Sequence, residues 1–493
     1  MRLDELATAV PSARLRGDAS VEIAGLAYDS RRVGPGDLFF CVRGERADGH
    51  RFAAAAAEAG AAALVVEEDP GVALPQLAVA DARAAMAPLA ARFHGDPTAE
   101  LKVVGVTGTN GKTTTAFLVR EILEAAGVRC GLLGTVKQVV GGTEEEVERT
   151  TPEAVDLQRS FRRMLDAGDR ACAMEVSSHA LVLHRVDAIR FEVALFTNLT
   201  QDHLDFHTDM EDYFAAKRRL FAEGRARRRL VNVDDPYGRR LAEELDCLTF
   251  SAAGRPADYA ATEVELGAAG AAFTVSGPGL RKRAAGEGGE VRVRTGLPGH
   301  FNVANALGAF AAAVEAGVEP ERAAAGLAGA APPPGRFEPI DEGQGFAVLV
   351  DYAHTPDSLR NVLAAARRLT EGRVIAVFGA GGDRDRGKRP KMGRAGAEGA
   401  EVVVVTSDNP RSEDPEAIVA EVAAGAEGAA ELVVEVDRRE AIRAALRRAE
   451  PGDAVVIAGK GHEQGQEFAG GRKVPFDDRE VARAELRALG SPA

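Results

Sequence analysis

Short apolar, β-branched runs alternate with longer stretches whose apolar positions recur every three to four residues. In the middle of the chain the pattern predicts strands over 103–107, 171–176, 193–197 and 230–233, with helical segments between them. Strand–helix alternation of this kind gives an α/β fold built on a mainly parallel, doubly wound sheet. Residues 262–296 read differently: they are β-rich with Gly-rich turns, the pattern of antiparallel strands. Beyond the stiff Pro-Pro-Pro-Gly at 332–335, strands recur at 347–350, 374–378, 402–406 and 454–458. Before residue 97 an Ala-rich helix over 53–63, a strand over 63–67 and a further helix form a smaller α/β unit. Three domains are therefore expected, 1–97, 98–331 and 332–493.

Composition narrows the function. The formal charge is −14, with no basic block interleaved with aromatics, so nucleic acid is not an expected partner. Cys41, Cys130, Cys172 and Cys247 are scattered singly, the usage of reduced thiols in a cytosol. The opening MRLDELATAV carries acids and lacks the apolar core of a signal peptide, and the Ala-rich run is too short to span a membrane. A cytoplasmic protein without a membrane partner is the expectation.

The first chemical signal is GVTGTNGKTT at 105–114. An apolar strand, a glycine turn and a helix from 113 to about 126 lay out a phosphate-binding loop. Backbone N–H groups of Gly108, Thr109, Asn110 and Gly111 and the helix start meet the phosphates; Lys112 adds a point charge and Thr113 offers a hydroxyl to Mg²⁺, with Thr114 beside it. Val106 stands where the usual spacing has a glycine, and Gly108 supplies the turn. The alternative is an ordinary Gly/Thr-rich turn with a solvated lysine.

Further motifs sit at predicted strand ends. Glu175, in CAMEVSSHAL, is a carboxylate emerging where Mg²⁺ would need a second anchor. In NLTQDHLDFH, His203 and His207 stand four apart, one face of a helical turn: either a metal pair or solvated surface residues. Lys217, in YFAAKRRLF, reads alone as part of a basic helix face. In the last third, DYAHTP, GAGGDRDRGKRP, SDNPR and GKGHE each follow a strand, which brings four polar loops to one sheet edge, where open parallel sheets bind ligands. GAGGDR fails the dinucleotide fingerprint because Arg384 occupies a required glycine position.

Taken in order, TGTNGKTT, AMEVSSHAL, NLTQDHLDFH, DYAHTPD, GGDRDRGKRP, DNPR and GKGHE resemble the Mur ligases, from about residue 26 to 480. The resemblance implies an N-terminal UDP-substrate domain, a central ATPase domain and a C-terminal Rossmann-like domain that receives an amino acid. It implies ATP and Mg²⁺ as cofactors. The small-molecule partners it implies are UDP-MurNAc-L-Ala-D-Glu and meso-diaminopimelate, joined through an acyl phosphate by a monomer. By position, Gly108 to Thr114, Asn302, Arg336, Asp351 and His354 contact ATP. Thr113 and Glu175 hold one Mg²⁺, His203 serves the second, and Lys217 aligns with a lysine that the family carbamylates, turning a cation into an anion. Lys112, Glu175, His203 and Lys217 are thus the catalytic set. Tyr28, Asp29 and Ser30, with Glu45, Arg46 and Ala47, align with uridine-contacting segments, and Thr150, Thr151, Ser177 and Arg185 with positions holding the muramoyl-dipeptide. Arg149 and Leu183 depart from the family's polar amides.

Arg384, Asp408, Asn409, Pro410, Arg411, Gly459 and Glu463 align with the acceptor pocket. Meso-diaminopimelate differs from lysine by a second α-carboxylate, which the Arg411 guanidinium suits; Glu463 is expected to pair with the distal ammonium. A ligase using L-lysine or another diamino acid, and a phosphate-loop switch without ligase chemistry, are the alternatives.

Overall fold

The computed structural model describes residues 1–44, 47–147, 149–267, 270–281 and 289–490, so Glu45 and Arg46 lie outside the described residues. The chain divides into two compact units, one of 1–105, 128–194 and 216–228, the other of 106–127, 195–215 and 229–493.

In the first unit, β1 (Arg14–Arg16), β2 (Gly25–Ala27), β3 (Asp37–Phe40), β4 (Ala63–Val66) and β5 (Gln76–Ala78) form a sheet in the order β1-β5-β4-β3-β2. Strands β2 to β5 run parallel and β1 closes one edge antiparallel. Side chains alternate across the sheet, so consecutive apolar residues serve both faces. Leu38, Phe40 and Val65 pack in a core with Ala82, Met86 and Leu89 of the Ala82–Phe93 helix, while Phe39, Leu64 and Val66 pack with Ala53 and Ala56 of the Ala53–Glu58 helix. That second helix is shorter than expected. It stops at Glu58, and Gly60, at φ +99°, turns the chain directly into β4.

Strand β6 (Lys102–Thr107) leads into the phosphate-loop segment. Strand β7 (Cys130–Leu133) is followed by a meander through β8 (Gln138–Val140) and β9 (Thr143–Glu145), and pairs in parallel with β10 (Ala171–Glu175). Strand β11 (Phe191–Phe196) precedes β12 (Ala226–Asn232), β13 (Leu248–Ser251) and β14 (Tyr259–Gly267), of which β12–β13 and β13–β14 are parallel pairs. The β-rich 262–296 region is antiparallel as read: β15 (Gly270–Ser276) joins β14 to β16 (Glu290–Thr295). Through β14 it continues the β12–β13 sheet, so it is an extension of that sheet.

The C-terminal strands are β17 (Glu338–Pro339), β18 (Ala347–Asp351), β19 (Val374–Phe378), β20 (Val402–Val405), β21 (Glu431–Val434) and β22 (Ala454–Ala458), in the order β17-β18-β22-β19-β20-β21. All pairs from β18 to β21 are parallel. The Val/Ile/Ala runs are buried on both faces, against two separate cores, as helix-covered parallel strands require. No helix among the described residues is long and apolar enough to cross a membrane.

Candidate active site

Strand β6 ends at Thr107, and the Lys112–Ala125 helix starts after Gly111. Two glycines make the turn possible. Gly108 has φ +151° and a Cβ there would lie 1.9 Å from Thr197 Oγ1; Gly111 has φ +83° and a Cβ would lie 2.3 Å from Asn305 Oδ1. The loop is held by the segment after β11. Thr109 N–H donates to the Asn198 carbonyl at 2.9 Å, Asn110 N–H donates to Asn198 Oδ1 at 2.9 Å, and Thr197 Oγ1 donates to the Asn110 carbonyl at 2.7 Å. Thr109 Oγ1 accepts from Thr200 N–H at 3.0 Å. These anchors, Thr197, Asn198, Thr200 and Asn305, were not singled out in the sequence, although NLT opens one of its motifs. Lys112 Nζ folds back to donate to the carbonyls of Gly108 at 2.9 Å and Thr109 at 2.7 Å, beside the turn whose amides would face phosphate. Thr113 and Thr114 are buried.

Residues of the last third reach this loop. Arg336 Nη2 donates to Thr113 Oγ1 at 2.8 Å while its guanidinium lies 4.5 Å over the Tyr352 ring. Asn110 Nδ2 donates to Asp357 Oδ2 at 3.1 Å. Asp351, at the end of β18, accepts the amides of Phe337 and Ala353, each at 2.7 Å; burial pushes its carboxyl above the ordinary range. Thr355 caps the Pro356–Arg367 helix with Ser358 as a capping box, which fixes the turn carrying His354. Asn302 donates to the Pro298 carbonyl at 2.8 Å and accepts from Asn305 Nδ2 at 3.1 Å, so it buttresses the residue under Gly111.

The histidine segment is not a helical turn. The next helix, Met210–Arg218, begins after it. The His203 carbonyl accepts from Phe206 N–H at 3.1 Å and His207 N–H at 2.9 Å, which closes the turn, with His203 at φ +55°. Both imidazoles meet the Tyr213 ring, His203 edge-on with centroids 5.9 Å apart. His207 is buried, stacked on Tyr213 with ring centroids 4.9 Å apart, and its Nδ1 lies 3.3 Å from Asp212 Oδ2. His203 Nε2 lies 3.5 Å from Asp202 Oδ2. Asp202 is buried, with Lys388 Nζ at 3.4 Å and His354 Nε2 at 3.6 Å. Burial alone would raise its carboxyl; Lys388, His203 and His354 outweigh that and hold it well below the ordinary range.

In the first unit, Glu175 ends β10, buried, and accepts from Thr135 N–H at 2.7 Å. A Cβ on Gly134 would lie 2.5 Å from Glu175 Oε1. Thr135 Oγ1 lies 3.1 Å from Thr150 Oγ1. Thr151 Oγ1 donates to the Glu175 carbonyl at 2.9 Å and accepts from Ser177 N–H at 3.1 Å, and Arg185 Nη1 donates to the Thr151 carbonyl at 3.1 Å. Thr150, Thr151, Glu175, Ser177 and Arg185 are thus one constellation. Tyr28 OH donates to Asp156 Oδ2 at 2.5 Å. Asp29 caps the turn beginning at Ser30, and Ala47 accepts from Gly44 N–H at 2.9 Å. Leu183 is half-buried. Lys217 is 1% exposed, which overturns its reading as a solvated basic face; only Arg219 of that run is exposed. A buried ammonium is costly enough to demand a specific role.

The residues expected to line an acceptor pocket lie in the loops beyond β20 and β22. Lys460, fully buried, donates to Asn409 Oδ1 at 2.9 Å and Glu463 Oε2 at 3.0 Å, and lies 3.5 Å from Asp408 Oδ1. Asn409 Nδ2 donates to the same Glu463 oxygen at 2.9 Å. Burial would raise the Asp408 carboxyl, but Lys460 and Arg438 hold it below the ordinary range. Gly459, at φ +120°, admits this carboxylate: a Cβ would sit 2.9 Å from Asp408 Oδ2. Arg411, after Pro410, has φ +51°; its Nε donates to Glu467 Oε2 at 3.1 Å and its Nη1 to the Gly382 carbonyl at 2.8 Å. Arg384 is exposed, and both its Cγ and Arg411 Nη1 fall within 4 Å of a Cβ built on Gly381. Lys460 was missed, although it lies inside GKGHE.

Asp48, His50 and Glu68 offer ligand atoms within 4.8 Å of one another. Both His50 nitrogens are already engaged, Nδ1 with Asp48 Oδ1 at 2.7 Å and Nε2 accepting Glu67 N–H at 2.9 Å, so the trio reads as an ion-pair cluster.

Comparison with known proteins accounts for the arrangement. The model of the Mur ligase family catalytic domain matches residues 22–94, the Mur ligase middle domain 106–313, and the Mur ligase glutamate ligase domain 335–461. The chain is 49% identical over 497 residues to the UDP-N-acetylmuramoyl-L-alanyl-D-glutamate–2,6-diaminopimelate ligase of Streptomyces coelicolor, covering 98% of this chain and 95% of the relative. Identity to the enzyme of that name from Geobacter metallireducens is 44%, over 100% and 99% of the two chains. A solved structure of an enzyme of the same name is 33% identical, with TM-score 0.69 and full coverage of both chains. The UDP-N-acetylmuramoylalanyl-D-glutamyl-2,6-diaminopimelate–D-alanyl-D-alanyl ligase of Acinetobacter baumannii, at 22% identity and TM-score 0.64 over 99% and 97%, shares the fold. On matches that span nearly its whole length, the chain belongs to the Mur ligase family.

Proposed function

We propose that the protein is an ATP-dependent amide ligase that joins meso-2,6-diaminopimelate to the D-Glu γ-carboxylate of UDP-MurNAc-L-Ala-D-Glu, a cytoplasmic step in peptidoglycan precursor synthesis. The observation that carries this is the 49% identity over nearly the full chain to a ligase of that name. On this reading three domains, 1–97, 98–331 and 332–493, divide the work, and the enzyme acts as a monomer.

The difficulty in the reaction is charge: a carboxylate must attack a polyphosphate. Gly108 to Gly111 direct amides at the phosphates, and Lys112, released from the loop carbonyls, follows the transferred phosphoryl group. A γ-carboxylate oxygen bonds the terminal phosphorus and ADP leaves. The acceptor amine then bonds the acyl carbon, phosphate leaves with the C–O electrons, and the amine loses its proton. The hydroxyl of Thr113 and the carboxylate of Glu175, hard oxygen donors, would hold one Mg²⁺, and His203 with a carbamylated Lys217 would serve the second. Mg²⁺ would supply neutralisation of phosphate charge. Asn302, Arg336, Asp351 and His354 orient the nucleotide. Tyr28, Ser30, Glu45, Arg46, Ala47, Thr150, Thr151, Ser177 and Arg185 hold the nucleotide-sugar peptide. Arg411 takes the distal carboxylate of the acceptor and Glu463 its ammonium, with Arg384, Asp408, Asn409, Pro410 and Gly459 shaping the pocket.

The test is ADP release with Mg·ATP and UDP-MurNAc-L-Ala-D-Glu, comparing meso-diaminopimelate, L-lysine and no acceptor, with product mass. Turnover with meso-diaminopimelate alone is expected. Turnover with lysine would overturn the acceptor, and release indifferent to acceptor would overturn the ligase.

A further inference from the structure

Three guanidinium groups in the first unit converge on one buried carboxylate. Glu153, 6% exposed, precedes the Ala154–Asp166 helix. Its Oε1 accepts from Arg149 Nη1 at 3.0 Å and pairs with Arg185 Nη2 at 2.9 Å, and its Oε2 accepts from Arg83 Nη1 at 3.4 Å. The next carboxylate along, Asp156, is occupied by the Tyr28 hydroxyl and by Arg159. Among the described residues three cations therefore share one anion, inside a chain whose net charge is −14.

The crowding is felt by Arg185. Burial first, and then Arg149 and Arg83, work against its charge, with Glu153 opposing them. Its Nε is buried without a hydrogen-bond partner. Arg149 is 48% exposed at the side chain, and among the described residues it bonds protein only through Nη1. Donors without acceptors and positive charge in excess are both relieved by one bound oxyanion. The neighbours say which molecule carries it: Arg185 also holds the Thr151 carbonyl, beside Ser177.

We propose that Arg149 is a specificity-determining residue for the nucleotide-sugar substrate, forming with Arg185 a two-guanidinium seat for one of that substrate's oxyanions. This rests on the function proposed above. Arg149, which stands where the family's amide was expected, then replaces a neutral contact with a charged one. The oxyanion is either a carboxylate of the peptide end or a phosphate of the nucleotide end.

The experiment is calorimetric binding of UDP-MurNAc-L-Ala-D-Glu, UDP-MurNAc-L-Ala and UDP to wild-type protein and to Arg149→Gln, which keeps a hydrogen-bond donor for Glu153 and removes the charge. Affinity of the full substrate should fall ~10-fold or more, as for loss of a charge-assisted pair, with the KM for ATP changed less than ~2-fold. A fall confined to the D-Glu-bearing ligand assigns the carboxylate, and a fall shared by UDP assigns the phosphate; both support the seat. Equal affinities in variant and wild type would overturn it, and a lowered melting temperature with unchanged affinity would make Arg149 only a structural partner of Glu153. Failure of the wild-type protein itself to bind the nucleotide-sugar would instead sink the functional reading.

Discussion

Arg336 Nη2 donates to Thr113 Oγ1 at 2.8 Å, joining the start of the C-terminal region to the phosphate loop across 223 residues. The same hydroxyl is proposed to serve Mg²⁺. A guanidinium and a divalent cation repel, so loading the nucleotide should move Arg336 off Thr113 and onto phosphate.

A double-mutant cycle of Thr113→Ala and Arg336→Ala, read by chemical denaturation, should therefore show a coupling of ~1 kcal/mol in nucleotide-free protein. With saturating Mg·ATP analogue the coupling should vanish. A coupling that persists unchanged would mean that the bond is a fixed strut.

Asp202 carries the second long-range link, with Lys388, His203 and His354 around one buried carboxylate. Its carboxyl is held below the ordinary 3.8, so its stabilisation is fully present above that value and is lost as pH falls through the depressed one. Asp202→Asn leaves Lys388 buried and unpaired and should cost ~3 kcal/mol near pH 7. In denaturation series the gap between wild type and variant should close below pH 4; a gap constant down to pH 2 would mean that charge is not what Asp202 contributes.

The phosphate loop was legible because its chemistry is local: the glycines, Lys112 and Thr113 are set by one turn and one helix start. Strand positions in the α/β regions were read to within a few residues for the same reason, since a parallel strand buried on both faces is a continuous apolar run. What was not legible depends on partners far along the chain. Nothing in YFAAKRRLF distinguishes buried Lys217 from exposed Arg219. The edge strand Glu431–Val434 is largely exposed, and its apolar run, Leu432 to Val434, is shorter than the buried runs of its neighbours. Lys460 looked like one more charge in a loop, and only the fold brings Asp408, Asn409 and Glu463 around it.

Burial of Lys217 gives the proposed carbamate a direct check. Lys217→Ala should lower ligase turnover ~100-fold or more, the scale of losing one fixed charge in an active site. Formate or acetate, small enough to enter the space and carrying the lost negative charge, should restore part of it, whereas methylammonium should not. Rescue by the amine alone would show that the lysine acts as a cation.

Arg411 occupies the left-handed region, at φ +51°, which costs a non-glycine residue of order 1 kcal/mol and is kept where the surroundings enforce it. Its N–H donates to the Glu467 carbonyl at 3.0 Å and its Nε to the Glu467 carboxylate, so backbone and side chain are aimed by one partner. Among the described residues Nη2 bonds no protein group, so it is open to the carboxylate proposed for it. Arg411→Ala should raise the KM for meso-diaminopimelate ~100-fold, with the KM for ATP changed less than ~2-fold. Arg411→Lys should fall between, because a point charge replaces a fork. Glu467→Gln should weaken diaminopimelate binding by a smaller factor, since it loosens the aim without removing the cation. Steady-state kinetics with each substrate varied in turn separates these outcomes. Equal loss for ATP and acceptor in Arg411→Ala would show that Arg411 supports the domain, and preference for meso-diaminopimelate over lysine would then need another source.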